Sequence, residues 1–412
     1  MKAQSLRIIR AMVLLSAAPA LPSAADTPVP GASPATFQDT GNHVPPAAGT
    51  TLEPGVAIGL GGGLTAVLKK ADALPYVESG YTRRYRFDSF ENPKLTELRE
   101  RHGLSEVVAG GRDEFEKQVL LMDWTHKRFT KFGPPSMKCR GALSILEAVA
   151  EGHTFFCQQY SEVLVSAAAS LGWISRPLAL RRHQGVAKVG GSTEHSVTEI
   201  WSNQHRKWVM LDPTLNLYLE RDGVPLNAWE IREEWFRRGG ANLVFVIGKE
   251  RAKHTKADLP VPVGRFAGFG DLSLHPDELD KYGFIGYIPN TDLMDAGYDY
   301  ENMFITRDRL CEGTPWHRRT LPEHPGEDPY FPVGQAAMTL EVGEGRIHVA
   351  LKTLTPNFAR YEARTEGSGW RPCAEKLVWP VHRDLNRLEV RTVNRFGVTG
   401  PLSTAEIEVK GK

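Results

Sequence analysis

The sequence of 412 residues is poor in cysteine, in long apolar runs and in unbalanced charge. It contains four cysteines, far fewer than a disulfide framework needs in a chain of this length. After residue 25 no apolar run approaches the ~20 residues of a transmembrane helix. The 50 Lys and Arg residues balance 49 Asp and Glu residues, without a long run of one sign. We therefore expect no nucleic-acid partner and no membrane span.

Metal-binding patterns are also missing. The histidines show no HExxH spacing and the cysteines show no CxxC pair. The Gly-rich stretch Gly59–Gly63 lacks the surrounding pattern of a phosphate-binding loop, so a turn is the preferred interpretation. The sequence accordingly predicts no metal and no cofactor.

The first 25 residues have the pattern of a secretory signal peptide. Basic residues at positions 2, 7 and 10 precede an apolar run over residues 11–21, and small residues follow up to Ala25. This is the order of a charged region, an apolar region and a cleavage site. We expect the mature chain to start near Asp26 and to be periplasmic or secreted.

Composition and turn residues divide the rest of the chain into four parts. Residues 26–75 are rich in Pro, Gly, Ala and Thr and predict a flexible lead-in. Residues 76–250 predict a core of helices and strands. Residues 251–335 predict an irregular connecting region, and strand-like runs over 336–412 predict a small all-β sandwich. The expected fold class is α+β.

Cys157 opens a predicted helix in the second of these parts. Leu164, Ala168 and Leu171 recur at helical spacing after it, and Gly172 lies where a helix C-cap is expected. The positive end of a helix and its unpaired amides stabilise a thiolate and a developing oxyanion. The backbone amide of Cys157 is therefore the expected oxyanion donor.

Two side chains are additional oxyanion candidates. Gln158 follows the cysteine directly, and Trp124 carries an indole N–H on an earlier predicted helix. For Trp124, packing in a core is the preferred interpretation.

His195 begins a predicted strand, and Asp212 ends the next one. A turn centred on Asn203 and Gln204 predicts a hairpin whose register places 195 opposite 212, with both side chains on one face. A thiol nucleophile needs a base and a third group that orients this base. Asp212 would accept the Nδ1 or Nε2 proton of His195. The three residues Cys157, His195 and Asp212 are thus the predicted catalytic set.

Several alternatives compete with this set. His153, His183 and His205 are close in sequence, and His183 is the reserve candidate for the base. Cys311 and Cys373 could form a disulfide, whereas a bridge between Cys139 and Cys157 would remove the nucleophile. Trp201 and Trp208 fall on the His195 face of the hairpin, where cross-strand packing is the preferred interpretation.

The stretch from Gly152 to Thr214 resembles the transglutaminase-like superfamily. The matching residues are Cys157-Gln-Gln-Tyr160-Ser161, Leu171-Gly172, Arg176, His195-Ser196 and Asp212-Pro213-Thr214. The resemblance implies a papain-related core over 76–250, with the Cys-His-Asp order of a thiol peptidase, amidase or acyltransferase. Residues 388–403 look like the last strands of a fibronectin type III or immunoglobulin-like module.

These features predict an exported cysteine-dependent enzyme that attacks an amide carbonyl through a thioester. Hydrolysis is preferred slightly to amine transfer, and the expected substrate is a protein, a peptide or a cell-wall polymer. The alternative hypothesis is a non-catalytic binding or scaffold protein, for which glycan is a candidate ligand of the β-sandwich.

Overall fold

The structure is a computed structural model that describes residues 49–182, 194–266, 270–300, 302–306, 322–366 and 368–411. Both helices and sheets are present, so the predicted α+β class is confirmed. The predicted signal peptide, the reserve histidine His183 and Cys311 lie outside the described residues.

The described helices and strands follow in chain order. The helices are α1 (Pro93–Arg101), α2 (Leu104–Ala109), α3 (Glu114–Arg128), α4 (Ala142–Ala150), α5 (Cys157–Ser170), α6 (Ala228–Arg238) and α7 (Leu293–Ala296). None of these described helices is long and apolar enough to cross a membrane. The strands up to residue 255 are β1 (Thr50–Thr51), β2 (Ala57–Gly61), β3 (Leu64–Asp72), β4 (Arg86–Phe87), β5 (Ser175–Arg181), β6 (Glu194–Ser202), β7 (Lys207–Leu211), β8 (Leu217–Arg221), β9 (Val224–Pro225), β10 (Val244–Ile247) and β11 (Ala252–Thr255). The later strands are β12 (Val261–Phe266), β13 (Gly270–Leu274), β14 (Phe284–Tyr287), β15 (Asn290–Thr291), β16 (Phe304–Ile305), β17 (Ala337–Gly343), β18 (Arg346–Lys352), β19 (Phe358–Thr365), β20 (Arg371–Cys373), β21 (Lys376–Trp379), β22 (Asp384–Asn394) and β23 (Ser403–Gly411).

A five-stranded sheet in the order β16-β14-β5-β6-β7 forms the centre of the fold. Helices α1, α3, α4 and α5 share one hydrophobic cluster with Ile200 and Val209 of this sheet. Trp201 and Trp208 belong to a second cluster, together with side chains of α6 and of the sheet β11-β10-β8-β9. The central sheet is therefore covered on both faces, and nearly every residue of β5, β6 and β7 is buried, polar residues included.

The hairpin β6–β7 has a register two residues away from the predicted one. Thr198 faces Leu211 and Trp201 faces Trp208, so the turn contains the four residues 203–206 and not a two-residue centre. The half-buried Glu114 of α3 accepts bonds of 2.8 Å from the Asn203 side chain and 2.8 Å from the Gln204 amide. This tertiary contact holds the longer turn. A shift of two residues keeps each side chain on its face, because side chains alternate with a period of two.

Two boundaries of the sequence prediction are wrong. Residues 50–72 lie in the expected flexible lead-in, yet they form β1, β2 and β3. Leu64, Ala66 and Leu68 alternate along β3, and this strand pairs with the C-terminal β23. Strands from both ends of the chain thus form two sheets, β1-β17-β18-β21 and β2-β3-β23-β22-β19-β20, which share one hydrophobic cluster. The pairing partner of β3 lies more than 300 residues away in sequence, so local composition could not reveal it.

The expected irregular region 251–335 also contributes to the central sheet. Strand β14 pairs with β5, and β16 pairs with β14. All four residues of β14 are buried, so this strand lacks the alternation that identifies a half-buried strand. The region is therefore part of the core and not only a surface connection.

Arg176 and Glu199 form a fully buried ion pair between β5 and β6. The Arg176 Nε and Nη2 atoms donate to Glu199 Oε2 at 2.9 and 2.7 Å, and both side chains have no exposed area. Nη1 donates to the Tyr85 hydroxyl at 3.2 Å and to the Pro329 carbonyl. Glu199 Oε1 accepts from the Ala228 amide at 2.9 Å and from the Tyr330 hydroxyl at 3.0 Å. The pair connects the sheet to α6 and to residues 329–330.

We predict that Arg176→Met destabilises the protein by about 3–5 kcal/mol, because Glu199 would remain buried without its counter-charge. The measurement is the free energy of unfolding from urea titration. Arg112→Met is the matched control, since Arg112 is mostly exposed and pairs with Glu116 within one helical turn, and it should cost less than about 1 kcal/mol. Equal losses for the two variants would contradict the prediction.

Candidate active site

Cys157 is the first residue of α5 and directly follows a residue with extended backbone. Phe156 precedes it with φ −95° and ψ 177° and makes no side-chain capping bond. One turn later, the Ser161 hydroxyl donates to the Val197 carbonyl at 2.8 Å and lies 2.9 Å from the Thr198 hydroxyl. These contacts hold the helix that carries the thiol against β6, the strand that carries His195.

His195 and Asp212 are in direct hydrogen-bond contact. The Nε2 atom of His195 lies 2.6 Å from Asp212 Oδ2, and the two residues are 9% and 2% exposed. The side chains therefore meet as the sequence predicts, although the hairpin register differs. Because Nε2 points to the carboxylate, Nδ1 is the ring nitrogen that is left for the Cys157 thiol, whose pKa the His195 side chain lowers.

The second oxygen of Asp212 is fixed by the turn that follows β7. Asp212 Oδ1 accepts from the amides of Thr214 and Leu215 at 2.9 and 3.0 Å. Backbone bonds of 2.8 and 3.1 Å between Asp212 and Leu217 close this turn. With Oδ1 occupied by two N–H donors, Oδ2 is oriented toward His195. An Asn at this position would keep Oδ1 on the amides and present an N–H₂ group to Nε2, which requires the wrong imidazole tautomer.

The charges in this trio favour a thiolate next to an imidazolium. Burial alone lowers the pKa of His195, but the charge of Asp212, its hydrogen bond and the contact with Cys157 outweigh burial and raise this pKa to about 10. Burial alone raises the pKa of Cys157, but the hydrogen bond and charge of His195 and the Ser196 amide lower it below the ordinary thiol value. Between these two pKa values the sulfur is ionised and the ring carries two protons.

The oxyanion candidates differ in where the structure places them. The amide of Cys157 lies at the N-terminus of α5, and Gln158 is partly buried in the first turn beside the thiol. Trp124 instead packs in the helical cluster, with its ring 5.8 Å from that of His102 and with Arg128 over its face. No described contact of Trp124 involves Cys157. Gln158 is thus the neighbour of Cys157 along α5, whereas Trp124 lies in the helical core.

Tyr300 is a site residue that the sequence analysis missed. Burial is the main cause of its raised pKa, the negative charge of Cys157 raises it further, and the Ser196 side chain is hydrogen-bonded to it. Its ring lies 5.3 Å from that of Tyr298, and both pack against Ala179 and Ile305. The phenol therefore stays protonated beside the thiol. The pair of tyrosines after Gly297 is the only sequence signal for this wall of the site.

The competing residues lie elsewhere in the described part of the chain. His153 Nδ1 contacts the Ser136 hydroxyl at 2.8 Å, and the His205 ring packs edge-on against Phe115. Cys139 and Cys157 are free thiols, which removes the alternative of a bridge between them, and Cys373 is also free. Among the described residues, no three His, Cys, Asp or Glu side chains come together as a metal-binding cluster.

Comparisons with known proteins identify no family. No protein-family model matches the chain, and no curated protein matches it. A similar solved structure is named a "Putative Cysteine Protease" from Cytophaga hutchinsonii, with 12% sequence identity and a TM-score of 0.25. The match covers 37% of this chain and 49% of that chain, so this chain spans about half of that protein.

We predict that iodoacetamide modifies Cys157 at a lower pH than Cys139 and Cys373, because burial raises the pKa of both of those thiols. Peptide mapping by mass spectrometry gives the rate at each cysteine. In His195→Ala the Cys157 rate should fall at neutral pH and its midpoint should rise above ~8.5, because the effect of burial remains without the imidazolium. A Cys157 midpoint unchanged by this substitution would contradict the prediction.

Proposed function

We propose that this chain is a cysteine-dependent enzyme of the transglutaminase-like superfamily, with a papain-related core, that attacks amide carbonyls. The observation that carries the proposal is the 2.6 Å contact between His195 and Asp212 next to a thiol of lowered pKa. A nucleophile, a base and a group that orients the base are the minimum set for this chemistry. The low pKa of Cys157 removes the need for a separate activation step.

The reaction would proceed through a thioester. The Cys157 sulfur forms a bond to the carbonyl carbon, and the carbonyl oxygen takes up negative charge near the first amides of α5. His195 donates its Nδ1 proton to the leaving amine as the C–N bond breaks. Water then attacks the thioester carbon and gives a proton to His195. The C–S bond breaks, which releases a carboxylic acid and restores the Cys157 thiolate beside the protonated ring. Asp212 keeps its hydrogen bond to Nε2 throughout and stabilises the imidazolium.

Hydrolysis is the preferred outcome over transfer to an amine. Cys157 is partly exposed, and Phe156 directly before it is 40% exposed, so water can reach this end of α5. An acyl transferase needs to exclude water from its thioester until the amine arrives. The preference concerns the rate of thioester hydrolysis relative to the rate of acyl transfer to an amine, and product analysis with an added amine measures both rates.

The scaffold alternative has less support. Holding a charged imidazole in a buried position costs desolvation energy. A protein that only binds would gain nothing from a buried His195 whose pKa is raised so that the ring stays protonated. The two sheets built from residues 50–72 and 337–411 would then be a fibronectin-like sandwich that presents the core to a polymer.

We also propose that residues 1–25 direct export. An N-terminal sequence that starts near Asp26 in the protein recovered from outside the cytoplasm would support this, and retention of residue 1 would contradict it.

Mass spectrometry of peptide libraries incubated with the full-length protein, with and without a primary amine, tests the proposed reaction. We expect cleaved or deamidated products in both samples and a smaller fraction of amine adducts in the second. Cys157→Ala should abolish all three products, because the nucleophile is missing.

Cys373→Ala is the matched control, since it removes a partly buried free thiol at the end of β20, outside the site, and should leave the products unchanged. A full set of products from Cys157→Ala would exclude the proposed reaction. Amine adducts in excess of hydrolysis would keep the thioester and reverse the preferred outcome.

A further inference from the structure

An exposed apolar surface leads directly to the proposed nucleophile. Phe156 and Met137 are 40% and 38% exposed, unusually high for large apolar side chains. The ring of Phe132 lies 5.6 Å from that of Phe156. We call these three residues the apolar platform.

The platform is held by backbone bonds and is not a loose loop. Phe132 forms a parallel bridge with Phe155, and the Gly133 amide donates to the Phe155 carbonyl at 3.1 Å. The Ser136 amide donates to the Thr154 carbonyl at 3.2 Å, and the Thr154 hydroxyl donates to the Pro134 carbonyl at 2.6 Å. Residues 132–137 therefore lie along the segment that ends at Cys157, in a conformation that needs no ordering when a ligand binds.

Basic residues flank the platform in the sequence. Residues 124–146 contain no Asp or Glu but include five basic residues. Lys127 pairs with Asp123, and Arg128 lies over Trp124. Lys131 donates to the Gly152 carbonyl at 2.9 Å, and neither it nor Lys138 nor Arg140 has a carboxylate partner among the described residues. We call these last three residues the basic rim.

The acidic groups in this neighbourhood offset only part of the basic charge. Glu147 pairs with Arg101 at 2.6 Å, and the exposed Glu151 lies 3.7 Å from His153, which is a counter-charge only when its ring is protonated. Glu162 is buried and accepts from the Gly141 amide at 2.9 Å. Burial raises the pKa of Glu162 to about 7, so its negative charge is reduced near neutral pH. The rim thus keeps a positive balance beside the active site.

We propose that the apolar platform and the basic rim bind the substrate chain next to the scissile amide, and select a peptide segment in which an apolar side chain is flanked by carboxylates. The inference rests on the proposed function, because it assigns a substrate class to the same site. Two properties of the surface carry it: its continuity with Cys157 and its charge complementarity to an acidic segment. The apolar side chain would bury Phe156 and Met137, and the carboxylates would meet Lys138 and Arg140.

Binding of labelled peptides to the full-length Cys157→Ala protein tests this without turnover. The probes are fluorescein-labelled peptides with one Phe flanked by Glu, one Phe flanked by Gln, and one Ala flanked by Glu. We expect the first to bind about 5–30-fold more tightly than the second, the sum of a few partly exposed charge pairs. The third should also bind more weakly than the first, because it lacks the apolar contact. High salt should reduce the difference between Glu and Gln flanks.

Variants separate the two parts of the surface. Lys138→Gln with Arg140→Gln should remove most of the preference for Glu flanks, and Met137→Ser should weaken both Phe peptides by a similar factor. The matched control is Arg371→Gln with Lys376→Gln, which removes two exposed positive charges from the strands β20 and β21 and should change nothing.

Several results would overturn the inference. Equal binding of the Glu-flanked and Gln-flanked peptides would exclude selection of carboxylates, and an equal loss in the control variant would show that only net charge matters. Displacement of the labelled Gln-flanked Phe peptide by an uncharged cell-wall glycan, but not by unlabelled Glu-flanked Phe peptide, would assign the surface to another class of ligand. A failure of this kind leaves the alkylation and product experiments at Cys157 unaffected, so it is distinguishable from a failure of the proposed reaction.

Discussion

The hydrogen bond between His195 Nε2 and Asp212 Oδ2 is the interaction on which the site depends. It fixes which nitrogen faces the thiol, and it supplies the negative charge that keeps a buried imidazole protonated. The thiolate in turn depends on that protonated ring, because burial alone would raise the pKa of Cys157. One carboxylate thus determines the charge of two other side chains. The turn amides of Thr214 and Leu215 hold this carboxylate in place, so a local backbone feature controls the whole set.

The surrounding fold serves to hold β6 relative to α5. Ser161 joins the helix to β6 at Val197 and Thr198, two and three residues after His195. The buried pair of Arg176 and Glu199 joins the same strand to β5 and to the start of α6. The burial of two charges costs desolvation energy, and four further groups help to offset it, the hydroxyls of Tyr85 and Tyr330, the Pro329 carbonyl and the Ala228 amide. Such a pair contributes geometric specificity more than net stability, which fits a strand that has to place one imidazole.

The sequence predicts those features whose signals are local. Helix α5 follows from apolar spacing and from Gly172, which adopts φ 81° after the last turn. The meeting of His195 with Asp212 depends only on the face that each side chain occupies, so it tolerates the two-residue error in register. The register was mispredicted because Glu114 stabilises a longer turn through its bond to the Gln204 amide. Glu114 is about 90 residues away in sequence, so rules for isolated hairpins do not include this contact. The same limit hid β3, β14 and Tyr300, whose partners are all distant in sequence.

The protonation state of His195 is the most direct test of the account. Nitrogen-15 NMR of the labelled protein reports whether each ring nitrogen carries a proton. The account predicts that both nitrogens are protonated at neutral pH, that the ring deprotonates only near pH 10, and that Asp212→Asn abolishes this state while the fold is retained. A neutral ring at pH 7 in the unmodified protein, with a midpoint near the ordinary ~6.5, would contradict the central claim.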